Sequence, residues 1–372
     1  MKKIIFNNLF KEIVLFFITC SLTLTLIVWI LQAVNFLDIV SEDGHSIATY
    51  FMYSFMNIPK IFNKLLLLSF FLSLYYILTI YEDRNQTLIF WINGISKSQF
   101  LNKLIYLSLL FLIFSFFLSF FIVPFTQDKA RSFIRSSSLE FFPSLIKPKK
   151  FIDTVENLTI FLDEKNKNSL KNIIIKDSKD ENSQLIIAKE GFISSNQDKR
   201  YLNLEEGIII NYGNQNLTSF NFEKTRLNLN NYNTKTTITP KIQETKSLTI
   251  IQCIKLLYSN NNIVKDIENL KCEKNIYKNL TQEMYKRTFL SLYIPLICII
   301  SCFVILKSST NIGYKLLKYK VFLFGIFFVV LSQISINMVN LNTFFGIVTF
   351  LIPLFLSLII YFFFLIKMKG ES

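Results

Sequence analysis

Apolar side chains in this 372-residue chain are gathered into long blocks instead of being spread at helix or strand spacing. KLLLLSFFLSLYYILTI (64–80) and LIYLSLLFLIFSFFLSFFIV (104–123) are two of them. A run of about 20 apolar residues matches the roughly 30 Å hydrocarbon core of a bilayer. Such blocks predict a membrane protein. Six spans are expected, over Ile13–Leu37, Leu65–Tyr81, Leu104–Phe125, Phe289–Leu306, Val321–Met338 and Phe344–Ile366. The first is too long for a cleavable signal peptide, and its apolar character continues through Leu-Gln-Ala-Val-Asn-Phe.

Short-loop lysines and arginines set the expected orientation. Lys2, Lys3 and Lys11 precede span one; Arg84, Lys97 and Lys103 follow span two; Lys307, Lys315, Lys318 and Lys320 follow span four; Lys367 and Lys369 end the chain. With an even number of spans, all of these fall inside together with both termini. Lys60 and Lys64, before span two, dissent by falling outside.

Between spans three and four lies a polar insertion of about residues 126–287, which then faces outward. LTIFLDEKNKNSLKNIIIKD, QLIIAKEGFIS, RYLNLEEGIIINY and TSFNFEKTRLNLN are short β-favouring runs broken by Gly, Asn, Asp and Lys. Alternation in Leu202-Asn203-Leu204 and Phe220-Asn221-Phe222 gives one buried and one wet face. The pattern predicts a sandwich or jelly roll. Residues 248–288 read as helical, with apolar positions 250, 251, 254, 257 and 258 on one face. A single helix is expected from Glu268 into span four. The fold class is thus an α-helical membrane protein of six transmembrane helices with an inserted all-β, jelly-roll-like domain. Its parts are 1–125 (spans one to three), 126–247 (β), 248–288 (helical connection) and 289–372 (spans four to six).

Much chemistry is absent. No P-loop, nucleophile elbow or His-Glu-x-x-His occurs, so no enzyme activity, cofactor or metal is expected. The lone histidine, His45, stands in a loop without partners in sequence. Net charge is +14, but the basic residues lie in the polar block and at span ends, not in an aromatic stripe. Nucleic acid is therefore not an expected partner. Cys20, Cys298 and Cys302 fall in apolar spans, while Cys253 and Cys272 stand in the polar block, where an oxidising compartment would let them pair. The span interiors carry no Asp, Glu, Lys or Arg, which argues against an ion-coupled transporter. If the chain moves something, the energy comes from a partner.

One loop stands out: YEDRNQTLIFWINGISKSQF, residues 81–100. It opens on Glu82 and Asp83, carries Leu88, Trp91 or Ile92, and Ile95 on one helical face, and closes on Gly94-Ile95-Ser96. It is either an interfacial helix on lipid headgroups or a short helix that seats in a cytosolic motor. Together with three spans, the β insertion and three more spans, this loop resembles the LptF/LptG family, the permease subunits of the lipopolysaccharide-export ABC transporter. DTVENLTIFLDE, IIIKD, IIAKEGF and LNLEEG, in that order, resemble the family's outer domain, and EMYKRTFLSLYIPL, through Glu283, Arg287 and Pro295, is similar to the family's opening of span four. Between the two paralogues the sequence leans toward LptF.

The resemblance implies an inner-membrane permease with a periplasmic β domain, which extracts lipopolysaccharide and is powered by a separate cytoplasmic ATPase dimer. A second LptF/LptG-type subunit and a periplasmic jelly-roll bridge protein are the other implied partners. It makes residues of about 82–97 a coupling helix, with Glu82, Asp83, Gln86, Trp91 and Gly94 as its ATPase-coupling residues. Gln86 stands where the family carries a glutamate. Lys60, Lys64, Arg131, Arg135 and Arg287, at the outer membrane boundary, become candidates for the lipid headgroup, with Arg287 foremost. Two other classes stay open: a membrane-anchored envelope scaffold, and an ABC permease of the lipoprotein-release type, which the span count disfavours.

Overall fold

The computed structural model describes residues 2–37, 47–145, 148–155, 157–166, 169–179, 182–196, 199–212, 217–228, 241–259, 265–267, 270–339 and 343–369. His45 and Glu268 fall outside them. Six helical stretches among the described residues are long and apolar enough to cross a membrane: Lys2–Asn35, Ile47–Asp83, Lys97–Ile134, Lys274–Leu306, Tyr314–Met338 and Leu351–Met368. Each predicted span has its counterpart, but the early helices run longer. The first starts at Lys2, not Ile13, and at 1.5 Å per residue its 34 residues extend roughly 50 Å, well past the hydrocarbon core.

The helices are α1 (Lys2–Asn35), α2 (Ile47–Met56), α3 (Ile58–Asp83), α4 (Leu88–Ile92), α5 (Lys97–Phe117), α6 (Val123–Leu145), α7 (Ser247–Ser259), α8 (Tyr277–Thr288), α9 (Tyr293–Cys302), α10 (Tyr314–Met338) and α11 (Thr343–Lys369). A π-helical turn, Leu118–Ile122, joins α5 to α6. The chain divides into two compact units: Met1–Leu31 with Asn57–Asp128 and Lys241–Ser372, and Gln32–Met56 with Lys129–Pro240.

In the first unit α9 is the hub. Tyr293, Ile294 and every residue from Leu296 to Cys302 are buried. A helix that is apolar all round finds its place only inside other helices. Phe70, Phe71 and Leu74 of α3, Phe100, Leu101 and Leu104 of α5, Leu9 and Ile13 of α1, and Phe364 of α11 share its core. Helix α11 is the least enclosed span. Where α10 approaches α3, Gly325 faces the Phe71 ring so closely that a Cβ would overlap it. The predicted continuous helix into span four is interrupted. A hairpin of β7 (Lys265–Ile267) and β8 (Leu270–Cys272) precedes α8, and a 3₁₀ turn at Leu290–Leu292 separates α8 from α9. Three-residue strands carrying Lys and Asp leave too little alternation to be seen in sequence.

In the second unit, β1 (Ile152–Val155), β2 (Leu158–Asn166), β3 (Ser169–Lys179), β4 (Asn182–Asn196), β5 (Lys199–Tyr212) and β6 (Leu217–Asn228) form one antiparallel meander. The inserted β domain is as predicted; its connectivity is a meander, without a crossover between two sheets among the described residues. The ladder skips one row across five strands. Leu162 pairs with Ile173, Ile173 with Ala188 and Ala188 with Gly207; then Glu164 pairs with Lys171, Lys171 with Glu190 and Glu190 with Glu205. The skipped residues are Asp163, Asn172, Lys189, Glu206 and, in β6, Glu223. Asn172 and Glu206 have φ of 50° and 48°. Asn172 donates to Asp163 at 3.1 Å and Lys189 to Glu206 at 2.9 Å.

This row changes which residues face inward. Ile173, Ile175, Ile186 and Ala188 are buried on one side of it, and Leu170, Leu202 and Leu204 on the other, in a single cluster. Irregular positions of this kind bend strands and re-aim side chains. One bent sheet therefore builds the core that a sandwich would assemble from two.

Gly325→Leu forces a side chain into the Phe71 ring and is expected to destabilise by about 1–3 kcal/mol, as overpacking does. Thermal unfolding of the detergent-purified chain measures it. Pairing Gly325→Ala with Phe71→Leu should recover part of the loss seen with Gly325→Ala alone. No recovery would mean that this contact does not set the α3–α10 approach.

Candidate functional site

Two polar assemblies lie at opposite ends of the first unit's helices. The first is the loop of residues 84–96. Glu82, at the end of α3, is buried. Its carboxylate accepts from Thr87 Oγ1 at 2.7 Å and from the Ser309 backbone N–H at 3.3 Å. Ser309 Oγ bonds Asn85 Oδ1 at 3.0 Å, Lys318 pairs with Asp83 at 2.9 Å, and Lys97 donates to the Leu306 carbonyl at 2.8 Å. The loop after α3 is thus tied to the segment that leads from α9 into α10.

The short helix α4 has five residues, against the predicted 82–97. Phe90 is its buried face, packed on Phe6 and edge-on to Phe100 with centroids 4.9 Å apart. Trp91 is half-buried, with its ring 5.7 Å from Phe100. Gly94 has φ +67°, a left-handed turn that favours glycine, and its carbonyl accepts from Lys2 Nζ at 3.1 Å. Ile95 then buries itself, and Ser96 caps α5 in a reciprocal capping box with Gln99. The Gly-Ile-Ser ending is accordingly a turn, an anchor and a cap. What α4 leaves outside is apolar: Leu88 is 48%, Ile89 50% and Ile92 83% exposed. Gln86 is half-exposed beside them.

The second assembly surrounds Arg287, which is 2% exposed. Nε donates to Glu283 at 3.1 Å, Nη1 to the Thr245 carbonyl and Ser247 Oγ, each at 2.9 Å, and Nη2 to the carbonyls of Ile242 at 3.3 Å and Gln243 at 3.1 Å. A guanidinium has five N–H donors, and all five are used here. Ser247 in turn donates to the Phe120 carbonyl in the π turn at 2.6 Å. Gln127 to Asn57, at 3.0 Å, and Ser115 to Ser291, at 3.0 Å, tie the same helices. Cys253 of α7 and Cys272 of β8 form a disulfide beside this assembly, with Cα atoms 5.8 Å apart, in a small core with Ile250, Leu270 and Leu280.

Among the predicted headgroup residues, Lys60 is half-buried, with Lys286, Glu283, Lys241 and Glu244 as its charged neighbours. Lys64 is exposed one turn further along α3. Arg131 and Arg135 lie on α6, in the second unit. Arg287 is brought to the assembly but spends its donors on this chain. Sequence reasoning missed that role. The Glu283–Arg287 spacing of four on one helix was the available signal.

A family profile described as lipopolysaccharide export system permease LptF/LptG matches residues 8–367. The chain belongs to the LptF/LptG family. Both polar assemblies and the β insertion therefore sit within an LptF/LptG permease chain; the match does not separate LptF from LptG. The chain is also similar to an uncharacterized protein of Rickettsia prowazekii (strain Madrid E), 24% identical over 224 residues, or 59% of this chain. The match spans 62% of that relative's length.

Arg287→Met should destabilise by about 3–5 kcal/mol, because it takes a buried charged donor from the carbonyls of Ile242, Gln243 and Thr245 and leaves Glu283 with Lys286 alone. Arg287→Lys, with three donors against five, should restore only part. Thermal unfolding together with protease nicking between residues 241 and 247 reads both. Unchanged stability in Arg287→Met would contradict the structural role.

Proposed function

We propose that this chain is a permease subunit that lifts lipopolysaccharide out of the inner membrane under the power of a separate cytoplasmic ATPase. The observation that carries the reading is the exposed apolar tip of α4. Leu88, Ile89 and Ile92 point away from the chain, while Glu82, Asp83 and Lys97 are tied inward. An apolar knob on a rigid mount suits a socket in a motor protein, with Gln86 as its polar neighbour. Glu82 and Asp83 serve coupling from inside: they fasten the knob to the start of α10, so a push on α4 reaches that span.

Orientation follows from the same features. The α4 end, rich in Lys and Arg, faces the cytoplasm with both termini. The Cys253–Cys272 disulfide supports an oxidising periplasm at the other end. Lipopolysaccharide offers phosphates at headgroup height, and Lys60 and Lys64 are the cations proposed to meet them. Arg287 holds the linker from the β domain against α8 and the π turn. A second LptF/LptG-type subunit completes the apolar cavity. The β domain passes lipid to a periplasmic bridge protein. Strand β6 supports that step: among the described residues it pairs only with β5, which leaves a 12-residue edge open to a further strand.

Leu88→Asp with Ile92→Asp should reduce ATPase co-purification at least about ten-fold, since burying each aliphatic side chain is worth roughly 1.5–3 kcal/mol. Unchanged recovery would remove α4 as the motor contact. Lys60→Gln with Lys64→Gln should lower photo-crosslinking of lipopolysaccharide to this end several-fold while leaving ATPase recovery intact. Crosslinking at the wild-type level would dismiss the two lysines.

A further inference from the structure

A cavity of about 600 Å³ lies among α9, α10 and α11. Its volume is within the roughly 300–1,000 Å³ of ligand clefts. Phe303, Phe324, Phe327, Ile359 and Phe363 line it, and Lys320 is its charged residue. The walls open sideways: Phe324, Phe327, Ile359 and Phe363 are each about half exposed. They are also stiff, with Phe303 edge-on to Phe364 at 5.2 Å and Phe324 edge-on to Phe328 at 4.9 Å.

Polarity is confined to one end. Lys320 stands four residues before Phe324 on α10, and Lys367 four residues after Phe363 on α11. That spacing puts each lysine on the cavity-facing side of its helix, one turn beyond the lining phenylalanine. Both are directed to the end where α4 lies, because α10 starts there and α11 finishes there. Neither makes an ion pair among the described residues; the nearby acid, Asp83, is taken by Lys318. From Lys320 to Phe327 the cavity runs roughly 10 Å along α10, within the roughly 15 Å depth of one leaflet.

We propose that this cavity is a binding site for an anionic glycerophospholipid of the leaflet at the α4 end. An acyl chain lies along the phenylalanine wall, and the phosphate is held between Lys320 and Lys367. The site is distinct from the proposed lipopolysaccharide contacts at Lys60 and Lys64, which lie at the opposite end of the helices. Occupancy would brace α10 against α11 next to the point where Asp83 and Lys318 fasten the loop to α10.

The test uses the full chain in lipid nanodiscs, with Phe324→Trp as a reporter read against the wild-type baseline and Ile359→Trp as a second, independent reporter. The probes are phosphatidylglycerol and phosphatidylcholine, each brominated on its acyl chains. Phosphatidylglycerol should half-quench the reporter at an about thirty-fold lower mole fraction, the value of two lysines at a membrane surface. Lys320→Gln should narrow the gap to about five-fold, and Lys320→Gln with Lys367→Gln should bring the two curves together. Curves that already coincide with Lys320 in place would overturn the headgroup site. Reporters that neither lipid quenches would overturn it too, by showing that protein covers the cavity. Neither failure bears on ATPase recovery or on lipopolysaccharide crosslinking, so the permease reading stands or falls separately.

Discussion

Inside hydrocarbon, no water is present to hydrogen-bond a backbone or solvate a charge, and the molecule is organised around that deprivation. The spans are helices because helices satisfy their own backbone. Serines in them, such as Ser69, Ser73, Ser108 and Ser301, turn back to carbonyls of the preceding turn. Charge is pushed to the helix ends, and where it is buried there it is matched. Glu82 accepts from a hydroxyl and a backbone N–H; Arg287 spends five donors on one carboxylate, one hydroxyl and three carbonyls. The two groups mark the two ends of the first unit's helices.

A single segment spans both. From α8 through α9 to Leu306, the chain carries Arg287 at one end, crosses the unit as its most enclosed helix, and finishes on the carbonyl that accepts Lys97. A displacement at α4 therefore reaches α9 and α10 through specific bonds, not through a general loosening of the bundle. This is the mechanical content of the proposed coupling. It also assigns Glu82 and Asp83 to transmission within the chain, with contact to the motor left to Gln86 and the apolar tip of α4.

The six spans were legible in sequence because twenty consecutive apolar residues have few other uses. Their ends were less so. Lys2 and Lys3 belong to α1, but lysines at a block's edge look the same whether the helix continues or stops. The β insertion was visible from Leu202-Asn203-Leu204 and the runs around it. Its bend was not, because Asp163, Asn172, Lys189 and Glu206 look like solvated turn residues until the ladder brings them into one row. At the site, the loop announced itself by composition. What stayed hidden was which way its residues point: Glu82 inward, Ile92 outward. Arg287 stood out in sequence as a headgroup candidate; its bonds to residues 242–247 stayed hidden, since those partners lie about forty residues away.

The account depends on α4 and the β sheet lying on opposite sides of the membrane. Cysteines introduced one at a time at Ile92 and Asn211, in a chain whose Cys20 is replaced and whose other free thiols, Cys298 and Cys302, are buried, can be labelled with a membrane-impermeant thiol reagent. The account predicts labelling at 211 in cells with a permeabilised outer membrane, and at 92 only once the inner membrane is broken. Labelling of both positions before that point would contradict it.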